Sequence, residues 1–196
     1  MKILYVDCET TGLNPKINSA FQISGIIEID NQIKEEFDFK VKPTEDVSFF
    51  DPEALKVHGV GVDELLSYPP IEEVAPKLVS LFNNYIDCYN KFDKFVIVGH
   101  GVQFDIDFLL KFWDDYEWEN KSYLFSYINS KRIINTLDIS RFLGFQGYFP
   151  SDMDFKLETL CEFFNIELTN SHNAVDDIKA TRELFKIYED GVLFDN

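Results

Sequence analysis

Five residues of this chain have the type and placement to act on a charged substrate: Asp7, Glu9, Asp105, Asp177 and His172. Asp7 and Glu9 belong to the stretch I-L-Y-V-D-C-E-T-T-G-L over 3–13. Its first residues are a run of apolar and aromatic side chains, the mark of a strand covered on both faces. Side chains alternate along a strand, so Tyr5, Asp7 and Glu9 share one face while Leu4, Val6 and Cys8 share the other. Two carboxylates about 6–7 Å apart at the end of a buried strand repel each other and are poorly solvated unless a cation lies between them. Thr10, Thr11 and Gly12 then break the strand, with Gly12 supplying a backbone conformation that other residues resist. Taken alone, the stretch also reads as a strand running out into a polar turn. The other acids favour the metal site.

Asp105 opens a helix over 104–116 whose apolar positions include Ile106, Phe108, Leu109, Phe112 and Trp113. It lies at helical spacing from Phe108, Leu109 and Phe112 and so points inward with them, whereas Asp107 belongs to the solvated side. The helix dipole favours an acid near a helix start, but this does not account for the inward direction. A last helix over 174–189 repeats the pattern. Ala174, Ile178, Thr181, Leu184, Phe185 and Tyr188 form its apolar stripe, and Asp177 falls within it. Asp176, on the polar side, has a sufficient role in a capping arrangement with Asn173. A carboxylate within an apolar stripe costs several kcal/mol unless it is paired or metal-bound, and no basic residue is spaced to pair with Asp177 on that face. Within one helix His172 and Asp177 would be about 140° apart, which assigns His172 to the loop before it, where an acidic site needs a general base.

At 196 residues the chain is long enough for one well-buried domain, and its 45% hydrophobic content is that of a globular protein. The formal net charge of −17 argues against tight, sequence-independent binding to a nucleic-acid backbone. It leaves open a nucleic-acid substrate held through metal ions, which supply their own positive charge. Three cysteines without a C-x-x-C pair indicate a reducing compartment. Neither a signal-peptide core nor a membrane-length run is present, so a soluble, cytoplasmic protein with no membrane partner is expected.

The elements that must position these acids follow from periodicity. Strands are expected near 3–6, 21–29 and 33–42, closely connected as an antiparallel meander that Pro43 ends. Two short helices over 51–67 begin at Asp51-Pro52, and His58-Gly59 ends the first. A helix follows over 70–85. A fourth strand at 95–98 is apolar throughout, hence central, and a fifth is expected at 133–137. Helices near 138–143 and 156–164 precede the last one. Three antiparallel strands followed by strand–helix repeats give an α/β fold with a mixed sheet flanked by helices. The aromatic stretch from Trp113 to Tyr127 reads as a loop and turn covering one end of the sheet, since Lys121, Lys131 and Arg132 are its only nearby basic residues. The segment Val192-Leu193-Phe194 reads as a frayed terminus, with docking on a partner as the alternative.

Together the four acids and the histidine resemble the DEDD exonuclease superfamily in its histidine-containing branch, which includes the proofreading subunit of bacterial replicative polymerases. D-C-E-T-T-G-L matches the first motif, V-G-H-G-V-Q-F-D the second, and H-N-A-V-D-D the third with its H-x-x-x-x-D spacing. Further similarity runs through V-H-G-V at 57–60, I-N-T-L at 134–137 and K-L-E-T-L-C at 156–161, so the resemblance spans nearly the whole chain. Two positions depart from the pattern: Gly101 stands where the family usually has Asn, which would loosen packing around the second motif, and Asn135 where it usually has Asp.

The resemblance implies a ribonuclease-H-like fold with a five-stranded mixed sheet, three antiparallel strands then two parallel, over 1–196 as a single exonuclease domain. It also implies hydrolysis of the terminal phosphodiester at a 3′ end of single-stranded DNA, releasing nucleoside 5′-monophosphates, with a DNA polymerase as a candidate partner. Two divalent cations, Mg²⁺ or Mn²⁺, suit an in-line displacement and hard oxygen ligands. By resemblance Asp7, Glu9 and Asp177 share the first metal, Asp7 bridges to the second, Asp105 contributes through water, and His172 deprotonates the attacking water. Thr10, Thr11 and Gly12 then face the 3′ end, Leu13 wedges against a base, and Phe104 stacks on a base or sugar. For Leu13 and Phe104 core packing is the alternative. His58 and His100 are assigned to structure, although either can line the cleft. Two other functions compete: an exoribonuclease or oligoribonuclease acting on RNA ends, and a catalytically silent exonuclease fold kept as an interaction module.

Overall fold

A computed structural model describes residues 1–116, 124–168 and 173–191. Five strands, β1 (Lys2–Thr10), β2 (Ala20–Ile29), β3 (Gln32–Lys40), β4 (Phe95–Gly99) and β5 (Ile128–Asn135), form one sheet in the order β3-β2-β1-β4-β5. The pairs β1–β2 and β2–β3 are antiparallel, while β1–β4 and β4–β5 are parallel. This is the mixed sheet expected from the sequence, with the acid-bearing strand at its centre.

The alternation along β1 divides the core. Leu4, Val6 and Cys8 face α3 (Ile71–Asn83) and α4 (Gln103–Tyr116), packing with Val74, Leu78, Phe82, Ile106 and Leu109. Ile3 and Tyr5 face the other way, onto Ile178 and Phe185 of α7 (Ala174–Glu189). The side of β1 that carries Asp7 and Glu9 is therefore the side covered by α7. Both faces being buried explains the near-continuous apolar run at 3–6.

Local signals set the ends of the short helices. Asp51 caps α1 (Pro52–His58) by accepting the Glu53 N–H at 2.9 Å, and Gly59 ends it in the left-handed conformation at φ 66°. α2 (Val62–Ser67) follows. One boundary differs from the expectation of a strand at 133–137. β5 begins at Ile128 and ends at Asn135, whose side chain accepts the Leu137 N–H at 3.3 Å and starts α5 (Thr136–Phe145). The exposed Ser130, Lys131 and Arg132 hide the first half of that strand from any apolar pattern, and the pairing register with β4 slips there as well. α6 (Leu157–Phe164) then packs with α7 and α5 around Leu143, Phe149, Leu160 and Leu184.

A buried ion pair ties α7 to the sheet. Glu28 of β2 is 1% exposed. It accepts from Arg182 Nε at 2.7 Å and lies 2.9 Å from Lys186 Nζ. Burial opposes its ionisation, but the two cations outweigh that and hold its carboxyl below the usual range. Arg182→Ala leaves Glu28 short of one partner and is expected to cost about 2 kcal/mol, measured by urea unfolding.

Candidate active site

The acids meet where β1 runs out from under α7. Asp7 and Glu9 project from the last residues of the strand, just before the pairing with β2 shifts between Glu9 and Thr10. Asp177 comes from the first turn of α7, whose cap Asn173 accepts the Val175 N–H at 3.1 Å. One carboxylate oxygen from each of Asp7, Glu9 and Asp177 lies within 4.8 Å of the others. Asp105 approaches from the opposite face of the sheet. It is 4% exposed, in the first turn of α4, and its Oδ1 accepts the Cys8 backbone N–H at 2.9 Å. Asp105 thus stands behind the triad, locking the strand end in place. Asp176 is not part of the cluster.

Electrostatics set these acids apart from ordinary surface carboxylates. Burial, then the charges of Asp105, Glu9 and Asp177, push the Asp7 carboxyl well above its usual range. Burial pushes Asp105 up to about 8 against the opposing pull of the Cys8 N–H. Among the described residues no lysine or arginine pairs with Asp7, Glu9 or Asp105. Converging hard oxygen donors, with the carboxyls of Asp7 and Asp105 raised by burial, fit a divalent cation of the Mg²⁺ or Mn²⁺ type.

Two histidines lie near the acids. His58, at the end of α1, brings Nδ1 to 2.7 Å from Glu9 Oε2 and packs edge-on against Phe21 at 5.4 Å between ring centres. No spacing in the sequence links position 58 to position 9. His100 follows β4: its Nε2–H donates to the Phe155 carbonyl at 3.0 Å, and its Nδ1 lies 2.9 Å from Thr136 Oγ1. Burial lowers its basicity, which suits a neutral clasp. His172 lies outside the described residues, as do 117–123 of the aromatic stretch and the segment 192–194.

The residues after Glu9 divide by direction. The Thr10 hydroxyl donates to the Gly12 carbonyl at 2.8 Å, and the Thr11 hydroxyl donates to the Glu45 carboxylate while its N–H donates to the Ser19 carbonyl at 3.0 Å. Both hydroxyls therefore shape the turn itself. At Gly12 a Cβ would sit 2.5 Å from Asn18 Oδ1, and the Asn18 side chain is anchored at 2.8 Å to the Phe49 carbonyl. Leu13, by contrast, is 76% exposed. Phe104 is half-buried against Phe108, 4.7 Å away between ring centres.

The two departures from the family pattern make contact. Gly101 adopts φ 79°, where a Cβ would meet open space, and its N–H donates to Asn135 Oδ1 at 2.8 Å. The Asn135 side chain both caps α5 and holds the loop after β4. Beside the acids opens a cavity of about 380 Å³, whose walls include Asp7, Asp177, His100, Arg141, Phe155 and Lys156.

Acids gathered at the end of the central strand of this mixed sheet, in this strand order, define a ribonuclease-H-like fold with a site suited to metal-assisted phosphodiester chemistry. The chain belongs to the exonuclease family (RNase_T), whose model matches residues 4–185. It is 31% identical over 180 residues to a PolC-type DNA polymerase III of Caldanaerobacter subterraneus, covering 91% of this chain and 11% of that protein. It is 26% identical over 179 residues to the 3′-5′ exonuclease DinG of Staphylococcus aureus, covering 91% and 17%. E. coli exonuclease I in complex with an oligonucleotide superposes with a TM-score of 0.72 at 23% identity, covering 99% of this chain and 42% of that one. The chain thus spans about a tenth of the length of the PolC-type relatives and under a fifth of DinG. No described helix is long and apolar enough to cross a membrane.

Proposed function

We propose that residues 1–196 act as one exonuclease domain that hydrolyses the terminal phosphodiester at the 3′ end of single-stranded DNA and releases nucleoside 5′-monophosphates. The observation that carries this reading is the convergence of Asp7, Glu9 and Asp177 within 4.8 Å at the end of the central strand. DNA is favoured over RNA because the relatives are named for a DNA polymerase and a 3′-5′ exonuclease, and exonuclease I of the same fold is bound to an oligonucleotide. A polymerase is the partner this reading implies, since the PolC-type relatives carry the matching stretch within one longer chain. The free Cys8, Cys88 and Cys161 suit the reducing cytoplasm.

Asp7, Glu9 and Asp177 would hold one divalent cation, and Asp7 would reach a second. Bound there, the cations supply positive charge to a phosphate and to the oxygen it loses. Asp105 keeps the Asp7–Glu9 end of the strand fixed through the Cys8 N–H, and His58 restrains Glu9 from the other side. His172 takes the proton of the attacking water. The exposed Leu13 bears on the terminal base, and the half-buried Phe104 offers it a ring edge.

Single-stranded DNA labelled at its 5′ end should shorten stepwise with Mg²⁺ or Mn²⁺ and stay intact in EDTA. Full-length substrate in the presence of either ion overturns the reading, and faster shortening of RNA than of DNA moves it to an exoribonuclease. His172→Ala should slow turnover about a hundredfold or more while shifting the Mn²⁺ titration midpoint by less than about threefold. A midpoint shift as large as the rate loss would make His172 a metal ligand instead.

A further inference from the structure

We propose that the cavity beside the acids is a subsite for the nucleotide preceding the scissile phosphate, with Arg141 and Lys156 holding its phosphate and Phe145 stacking on the next base out. The proposal rests on the exonuclease reading and names where the rest of the strand lies.

A chain of net charge −17 repels a polyanion. Cations held among the acids would answer for the phosphate being cut and would leave the neighbouring one unmet. Arg141 and Lys156 come from separate elements, α5 and the segment just before α6, yet both line the cavity that Asp7 and Asp177 also line. Their internal partners hold them weakly. Arg141 lies 3.8 Å from Asp138 with both side chains more than half exposed, and Lys156 lies 3.5 Å from Asp154. Exposed pairs of this kind contribute little, so a phosphate with two oxygens to offer displaces them.

The direction of α5 gives the strand its path. Its first residue, Thr136, bonds the Gly99 carbonyl at the end of β4, which places the helix start at the site. Leu137 and Arg141 line the cavity at i and i+4, and Phe145 follows at i+8, in steps of about 6 Å leading away from the acids. Phe145 is 89% exposed, with Phe142 beside it at 59%. An aromatic face in line with a cation and a catalytic cleft suits base stacking, which tolerates any sequence.

The adjoining wall is held against its own preference. Phe155 has φ 58°, a left-handed conformation that a bulky side chain resists. His100 Nε2–H fixes its carbonyl, and its ring lies over Gly144, where a Cβ would come within 2.4 Å of Phe155 Cζ. Lys156 is thereby kept at the cavity edge. Strain stored beside a cleft points to a surface shaped for a ligand.

The test compares the 4-nitrophenyl ester of thymidine 5′-monophosphate, which has no preceding nucleotide, with oligothymidylates from dinucleotide to octanucleotide. In Arg141→Ala and Lys156→Ala the ratio of oligonucleotide to ester kcat/KM should fall about tenfold, and Arg141→Lys should recover part of it. Phe145→Ala should flatten the rise of kcat/KM with length beyond the dinucleotide. Unchanged ratios in both cation variants, or an equal loss on ester and oligonucleotide, overturn the subsite. Anisotropy of a labelled oligothymidylate in Ca²⁺ reads it independently of cleavage: weaker binding by the variants supports the subsite, and binding equal to the parent's overturns it. A parent chain that cleaves neither substrate in Mg²⁺ or Mn²⁺ removes the exonuclease reading instead.

Discussion

Asp7→Asn should lower the rate of nucleotide release by roughly a thousandfold or more, and the same change should make the metal-free protein more stable. Both effects have one cause. Asp7 shares its site with Glu9 and Asp177, and burial plus these neighbours push its carboxyl well above the usual range. An amide of the same shape removes the repulsion and with it the charge that gathers a cation. Single-turnover degradation of end-labelled DNA measures the first effect, and thermal melts in EDTA measure the second. Asp177→Asn should behave alike in activity. Asp176→Asn should stay within about threefold of the parent, because it lies one helical step around α7 from the cluster. Comparable losses at 176 and 177 would show that the site does not discriminate between the two faces of the helix.

That contrast shows how much of the site was legible beforehand. Asp177 stands out because an apolar stripe at helical spacing contains a carboxylate, and Asp7 with Glu9 because strand alternation places them on one face. The convergence of β1 and α7 was not visible in either pattern. It follows from the core: Ile3 and Tyr5 pack on Ile178 and Phe185, so the same faces carry the acids together one layer further on. Asp105 was expected to point inward and does, but its partner is the backbone of Cys8, which no side-chain periodicity encodes.

β5 starts earlier than its apolar pattern predicts because Ser130, Lys131 and Arg132 interrupt that pattern on an exposed stretch, and Asn135 ends it as the cap of α5. The contact of His58 to Glu9 crosses forty-nine positions of chain, which no local spacing encodes. Gly101 was expected to weaken its surroundings by leaving a side chain out. Its positive φ favours glycine, and a Cβ there would meet open space, so leaving it out removes no Cβ contact.

With its cations removed, the protein should lose stability as pH rises from about 4 to about 8. Asp105 ionises near 8 in the folded chain, and Asp7 is raised in the same direction, whereas both ionise near 3.8 once unfolded. Between those values the native state holds protons that the unfolded chain has released, so stability falls with increasing pH across that window and levels off above it. The expected fall in Tm in EDTA is roughly 5 °C or more between about pH 5 and pH 8, and saturating Mn²⁺ at the upper pH should restore it. Net charge alone also destabilises an acidic protein at high pH, so the slope needs a control. Asp105→Asn should flatten the EDTA curve, whereas Asp107→Asn, which removes the same charge from the solvated side of α4, should leave it steep. Equal flattening by both would assign the slope to overall charge. A flat parent curve would mean that the acids are neutralised from within the chain, which removes their need for a cation.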